Sequence, residues 1–206
     1  DICTNGIGDA AGAQQIPRME ANVFDIGVDL GADGTIDRWL SGEKSEYLGR
    51  DNADSISPLA WRHFYIRLDT EIGKTVKIRI VDKSAEYYMA VNSIRLNSAD
   101  GKVVPNSVPN GWFEDTTPLK GWKILEGSIT DPAKLIIKDE AGVYNQYSKQ
   151  FLCTRTDVAS TDNTETCVIE SDPFTLTPMT SFVYGMVSGG ASEKWNIPGA
   201  GGSDNV

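Results

Sequence analysis

The sequence predicts an all-β fold, an antiparallel β-sandwich of the jelly-roll kind. About eleven short segments alternate apolar and polar residues, and turn-forming residues separate them along the chain. No segment keeps helical periodicity over three turns. Short strands at this spacing are typical of sandwiches and jelly rolls.

The clearest single strand is predicted over Thr75 to Asp82. Within it Val76, Ile78 and Ile80 point to one face, and the residues between them are mostly charged. This alternation indicates one buried face and one mostly solvated face. We expect the other strands over 22–28, 35–40, 61–68, 87–96, 112–114, 122–125, 134–138, 144–154, 166–176 and 181–187.

The chain is long enough for one substantial core, with 206 residues of which 40% are hydrophobic. We expect a single sandwich over 20–190, made of two halves, 20–97 and 110–190, joined by a turn-rich linker over 98–109. Residues 1–19 are predicted to form an N-terminal arm and 191–206 a glycine-rich tail.

The charge balance narrows the function classes. A net charge of −10 repels phosphate, so we expect neither nucleic-acid binding nor attraction to anionic membranes. No run approaches the ~20 apolar residues that a membrane span needs. The single histidine, His63, alternates with Arg62 and Phe64 on a predicted strand and has no recognisable catalytic partner, which indicates a protein that is not an enzyme.

Cysteine placement suggests secretion. Cys153 and Cys167 flank a polar stretch, so a disulfide between them would close a long hairpin and contribute ~3 kcal/mol. The alternative is that all the cysteines are buried free thiols. An opening Asp1-Ile2-Cys3 without Met also suits a processed, extracellular chain. Cys3 is then left over, either unpaired or bridged to another chain.

An acidic segment suggests calcium. Between Glu20 and Ser57 nine acids face three bases, and Asp29, Asp33 and Asp37 follow part of the spacing of a calcium-binding loop. Calcium would offset the repulsion among these carboxylates. The alternative is that Asp33-Gly34 makes an ordinary hairpin turn and that the acids are solvated.

Several motifs are similar to those of a known group of domains. Together they resemble bacterial glycan-binding jelly-roll modules and, more loosely, MAM-type extracellular adhesion domains, but with the two halves in inverted order. Motifs of the family's first half stand at NGWFE (110–114), LKGW (119–122), ESDPFTL (170–176) and SFVYG (181–185); motifs of its second half stand at 61–68, GKTVKIRIVD (73–82) and AVNSIRL (90–96).

The resemblance implies a permuted sandwich, closed either within one chain or by the complementary half of a neighbouring chain. In these modules a calcium ion often lies between a glutamate and an aspartate of the last strand. Glu114 matches the first position and Asn92 stands at the second, which gives a second candidate calcium site.

Two functions are expected from different classes. The first is an extracellular structural subunit that self-assembles into a filament, tube or matrix through terminal arms and strand complementation, with Ile2, Cys3, Ile7 and Ile16 making the contact. The alternative is a glycan-binding or adhesion module, whose candidate sugar-stacking residues are Tyr87, Tyr88, Tyr144, Tyr147 and Trp195.

Overall fold

The computed structural model describes residues 21–42, 61–85, 87–105, 107–141, 148–156 and 164–191. These residues form twelve strands and two 3-10 helices, Leu40–Gly42 and Pro132–Leu135. The strands are β1 (Phe24–Leu30), β2 (Arg38–Trp39), β3 (Arg62–Arg67), β4 (Thr75–Asp82), β5 (Tyr87–Asn97), β6 (Val103–Val104), β7 (Trp122–Gly127), β8 (Ile136–Lys138), β9 (Gln150–Cys153), β10 (Cys167–Ser171), β11 (Phe174–Thr175) and β12 (Phe182–Ala191).

The strands form two antiparallel sheets of six strands each. Sheet A has the order β2-β1-β4-β10-β7, with β11 also paired to β4. Sheet B has the order β3-β12-β5-β9-β8, with β6 also paired to β5. One hydrophobic core takes buried side chains from both sheets, so the predicted all-β sandwich is confirmed.

Both halves of the chain contribute to both sheets. In sheet A, β4 of the first half lies between β1 and β10, and β10 belongs to the second half. In sheet B, β12 of the second half lies between β3 and β5 of the first. A half on its own would therefore leave strands of either sheet without their neighbours. In this structure the two halves of one chain complete each other.

Residue alternation explains how the strands bury their inner faces. On β4, Val76, Ile78 and Ile80 are fully buried, as their alternation predicts. They belong to the same core as Phe64 and Ile66 of β3 in the other sheet. Burying side chains of this size contributes about 1.5–3 kcal/mol each, so the inner faces supply most of the stability.

The outer face of sheet B carries a second hydrophobic cluster. Trp61 and Phe151 are fully buried there, with ring centroids 5.3 Å apart in an edge-to-face arrangement. Cys153 and Met186 pack into the same cluster. This face of the sandwich is therefore stabilised by apolar packing, although a two-sheet fold leaves it outside the main core.

The outer face of sheet A is charged instead. The Glu170 carboxylate lies 3.2 Å from Lys77 Nζ and 3.4 Å from Lys123 Nζ, and it also accepts hydrogen bonds from the Arg79 guanidinium. Only 3% of the Glu170 side chain is exposed. Burial alone would raise the pKa of Glu170, but hydrogen bonds from Arg79 and Lys77 hold it below its usual value.

The predicted Cys153–Cys167 disulfide is wrong, because both residues are free thiols. Cys153 lies on sheet B and points into the outer cluster, whereas Cys167 lies on sheet A and points into the main core. The strands that carry them, β9 and β10, belong to different sheets and form no hairpin. Burial raises the pKa of each thiol to about 12, so both stay protonated.

One predicted strand was also wrong. The segment Trp112–Glu114 forms no strand, because Asn110 and Phe113 have positive φ values of 41° and 58° and turn the chain. Between them, Gly111 lies so close to β5 that a Cβ atom would come within 2.0 Å of the Ile94 carbonyl oxygen. The turn-rich linker predicted over 98–109 includes the two-residue strand β6. In the described part of the chain, no helix has the length and apolar character that crossing a membrane requires.

Candidate functional site

The first predicted calcium ligands cap backbone amides in the loop after β1. The Asp29 carboxylate accepts hydrogen bonds from the amides of Asp33 (3.1 Å) and Gly34 (2.8 Å). The Asp37 carboxylate accepts one from the amide of Leu30 at 2.7 Å. Aspartate side chains that accept hydrogen bonds from amides of their own loop are typical of an ordinary turn. No three His, Cys, Asp or Glu side chains are grouped to hold a metal ion among the described residues, and calcium binding stays a prediction.

The second predicted pair, Glu114 and Asn92, does come together. Glu114 Oε1 accepts a hydrogen bond from the amide of Gln150 at 2.8 Å, and Asn92 Nδ2 donates to the carbonyl of the same residue at 2.9 Å. Asn92 Nδ2 also donates to Ser148 Oγ at 2.7 Å, while Ser93 Oγ donates to Asn92 Oδ1. N–H groups thus contact oxygens that a cation would otherwise hold.

Tyr88 is the candidate sugar-stacking residue whose side chain the structure describes. Tyr88 is 4% exposed, and the guanidinium of Arg155 covers its ring at 4.0 Å from the centroid. Tyr88 therefore belongs to the outer cluster rather than to an open platform. The side chain of Tyr87 and residues Tyr144, Tyr147 and Trp195 lie outside the described residues, as do the assembly residues Ile2, Cys3, Ile7 and Ile16.

Three of the four outermost strands give little room for strand addition. Strand β2 has two residues and β8 has three. Side chains also bind two amides of β1. The Asp25 carboxylate accepts a hydrogen bond from the Ile26 amide at 2.8 Å, and the Asp37 carboxylate accepts one from the Leu30 amide. These amides, which β2 does not reach, are therefore not available to an added strand. On β7, a bulge leaves Leu125 without a partner on β10. Short strands and bulges are features that discourage edge-to-edge pairing.

The described surface has a cleft that the sequence analysis missed. It has a volume of about 310 Å³ and lies at the outer face of sheet B, lined by Tyr65, Arg67, Asp69, Ala99, Ser181 and Phe182. The rings of Tyr65 and Phe182 stand 5.6 Å apart and tilted by 49°. Phe182 is partly exposed, whereas Tyr65 keeps only 9% of its surface. A cleft with aromatic walls and a few polar groups is the usual form of a small-ligand site.

The two charged residues of the cleft are available to a ligand. Arg67 and Asp69 are exposed, and neither side chain makes a hydrogen bond or ion pair with any other residue in the described structure. They therefore offer five guanidinium donors and a carboxylate acceptor at one opening. A signal for this site exists in the sequence, because Tyr65 and Arg67 alternate with core residues of β3 and so had to face outward.

Beyond the cleft, sheet B presents further aromatic and cationic groups. The Arg95 guanidinium lies over the Tyr184 ring at 4.2 Å from the centroid and 5.4 Å from the centroid of Trp112. The Tyr184 hydroxyl shares a hydrogen bond with Nδ1 of His63. Trp112 is 38% exposed. His63 therefore supports the Tyr184 ring on the outer face of sheet B.

Two carboxyl groups have strongly raised pKa values, but both are buried. Burial raises the pKa of Asp82 to about 7 against hydrogen bonds from Thr154 and the Ser84 amide, and it raises the pKa of Asp25 to about 6. Asp82 points between the sheets toward Thr154 and is fully buried, as is Asp25. Neither carboxyl group is placed to meet a substrate.

Comparison with family models, with curated proteins and with solved structures gave no match.

Proposed function

We propose that this chain is a non-enzymatic, extracellular binding module that holds a neutral glycan in the cleft on sheet B. The observation that carries the proposal is the pair of unpartnered charges, Arg67 and Asp69, beside the partly exposed ring of Phe182. A sugar ring can lay its C–H face on an aromatic ring while its hydroxyls bond to a carboxylate and a guanidinium.

Electrostatics favour a neutral sugar over an acidic one. The cleft contributes one positive and one negative side chain, and the whole chain carries a net charge of −10. An anionic polysaccharide would approach a negative surface potential, whereas a neutral one would not. The resemblance to secreted modules supports the extracellular location, but the described cysteines lend it no support because both are free thiols.

Backbone-amide NMR of the full chain tests the proposal. Titration with neutral glucose and N-acetylglucosamine oligomers should shift resonances of 65–69, 97–101 and 180–184. Asp69→Asn and Arg67→Gln should each weaken binding by about tenfold, because each removes a charged hydrogen bond worth about 1.5 kcal/mol. Glu140→Gln is the matched control, since Glu140 is 73% exposed and distant in sequence from the cleft residues. Absence of shifts at all three segments would refute the proposal.

Self-assembly as a structural subunit is the second proposal. Both halves of the chain are needed for each sheet, so exchange of halves between copies would link them without new contacts. The short outermost strands β2 and β8 and the bulge on β7 favour the binding module instead, because they discourage strand addition. Sedimentation of the full chain at increasing concentration separates the two, because a subunit polymerises and a binding module stays monomeric.

A further inference from the structure

The cleft is continuous with a strip of aromatic and cationic side chains across sheet B. Tyr65, Tyr184 and Arg95 stand in one row, because Tyr184 is the Cα partner of both others on the neighbouring strands. Trp112 follows at the far end, with its ring centroid 5.4 Å from the Arg95 guanidinium carbon. We call Phe182, Tyr65, Tyr184, Arg95 and Trp112 the aromatic strip. Tyr65 and Tyr184 each keep only 9% of their surface exposed, so Phe182 and Trp112 are its accessible aromatic rings.

The strip is longer than one sugar ring. Neighbouring strands lie about 4.8 Å apart, so the row from β3 to β5 spans about 10 Å before it reaches Trp112. The cleft stands at one end of this row and Trp112 at the other. A single pyranose in the cleft would leave Trp112 without contact, whereas a linear chain of several units would reach it.

Trp112 has the properties of a second stacking platform. It is one of the few large apolar side chains left exposed among the described residues, at 38%. The Arg95 guanidinium between Trp112 and Tyr184 limits the freedom of both rings, which lowers the entropy lost when a ligand stacks on them. Tryptophan is also among the residues that most often dominate binding energy.

We propose that the aromatic strip binds a linear, neutral oligosaccharide, with one end in the cleft at Arg67 and Asp69 and a later unit stacked on Trp112. This inference rests on the proposed function. It adds a substrate class, because it requires a chain of at least three units rather than a single sugar or a chain end.

Calorimetric titration of the full chain with neutral glucose and N-acetylglucosamine oligomers of one to four units tests the inference. Affinity should rise by about tenfold between the monomer and the trimer, because an added contact with the aromatic ring of Trp112 is expected to contribute about 1.5 kcal/mol. Trp112→Ala should lower the affinity for the trimer to that for the monomer. Leu125→Ala is the matched control, since Leu125 is 43% exposed and lies on sheet A.

The outcomes separate the two proposals. Binding that strengthens with chain length and depends on Trp112 supports the strip. Binding that is independent of length, or unaffected by Trp112→Ala, overturns the strip and leaves the glycan-binding module standing. No binding of any oligomer overturns both.

Discussion

The outer faces of the two sheets are covered by different kinds of side chain. On sheet B the outer face is closed by apolar packing around Trp61 and Phe151, next to the aromatic strip. On sheet A it is closed by charges, with Glu170 held by Lys77, Arg79 and Lys123. The charges around Glu170 on sheet A pair with one another, whereas Arg67 and Asp69 beside sheet B make no hydrogen bond or ion pair among the described residues.

Removing the centre of the apolar face should have the largest effect on stability. Trp61→Ala should lower the free energy of unfolding by about 3–5 kcal/mol, because it leaves a large cavity in a fully buried cluster. Trp112→Ala, in the loop beside β5, is the control and should cost less than about 1 kcal/mol, since Trp112 is 38% exposed. Urea unfolding measures both, and equal losses would show that the outer cluster does not stabilise the fold.

Removing the centre of the charged face should cost less. Glu170→Gln leaves three cations without their carboxylate, and we expect a loss of about 2 kcal/mol in the free energy of unfolding. Added salt should reduce this loss by screening the cations. Glu126→Gln, at a carboxylate 55% exposed and paired with Lys83 alone, should change stability by less than about 1 kcal/mol. If both variants lose the same amount, the charged cluster adds nothing beyond a surface ion pair.

Asp82, which is buried between the two sheets, should make the free energy of unfolding depend on pH. Burial raises the pKa of Asp82 in the folded state to about 7, from its usual value of 3.8, so the protonated form favours the folded state. The contribution is complete below pH 4 and is lost as pH rises through 7, at up to about 1.4 kcal/mol per pH unit. Asp25 adds the same trend up to its pKa of about 6.

Asp82→Asn should flatten this profile, because the amide keeps the shape and cannot ionise. Thermal unfolding of both proteins from pH 4 to pH 8 measures the difference. Asp172→Asn, at an exposed position, is the control and should leave the slope unchanged. A wild-type profile that rises with pH over this range would contradict the assigned role of Asp82.

The smallest expected effect concerns the corner where Asn92 and Glu114 meet on sheet B. Asn92→Asp replaces a hydrogen-bond donor by a carboxylate opposite Glu114, which is the ligand pair that calcium prefers. Millimolar calcium should then raise the melting temperature of this variant by about 2–4 °C, which corresponds to about 1 kcal/mol for a chain of this size. Asn92→Ala should show no added response. A larger calcium shift in the wild type than in Asn92→Asp would contradict this account of the corner.

The fold class and most strands could be predicted from the sequence, because alternation of apolar and polar residues over a few positions indicates a strand. Strand β4 shows this most clearly, since its bounds and its buried face both match the pattern. The outward place of Tyr65 and Arg67 followed from the same rule. Where the chain instead needs a contact from another strand, as at Trp112–Glu114 beneath β5, the local pattern predicted a strand that does not form.

Which of these side chains lie together depends on how the strands pair in the folded chain. Arg67 and Phe182 come from opposite halves of the chain and line one cleft because β3 and β12 pair in sheet B. Cys153 and Cys167 are close in sequence yet face different clusters, because the chain crosses from one sheet to the other between them. Sequence distance gives no measure of either outcome, since strand order is set by burial of both sheets together and not by any single segment.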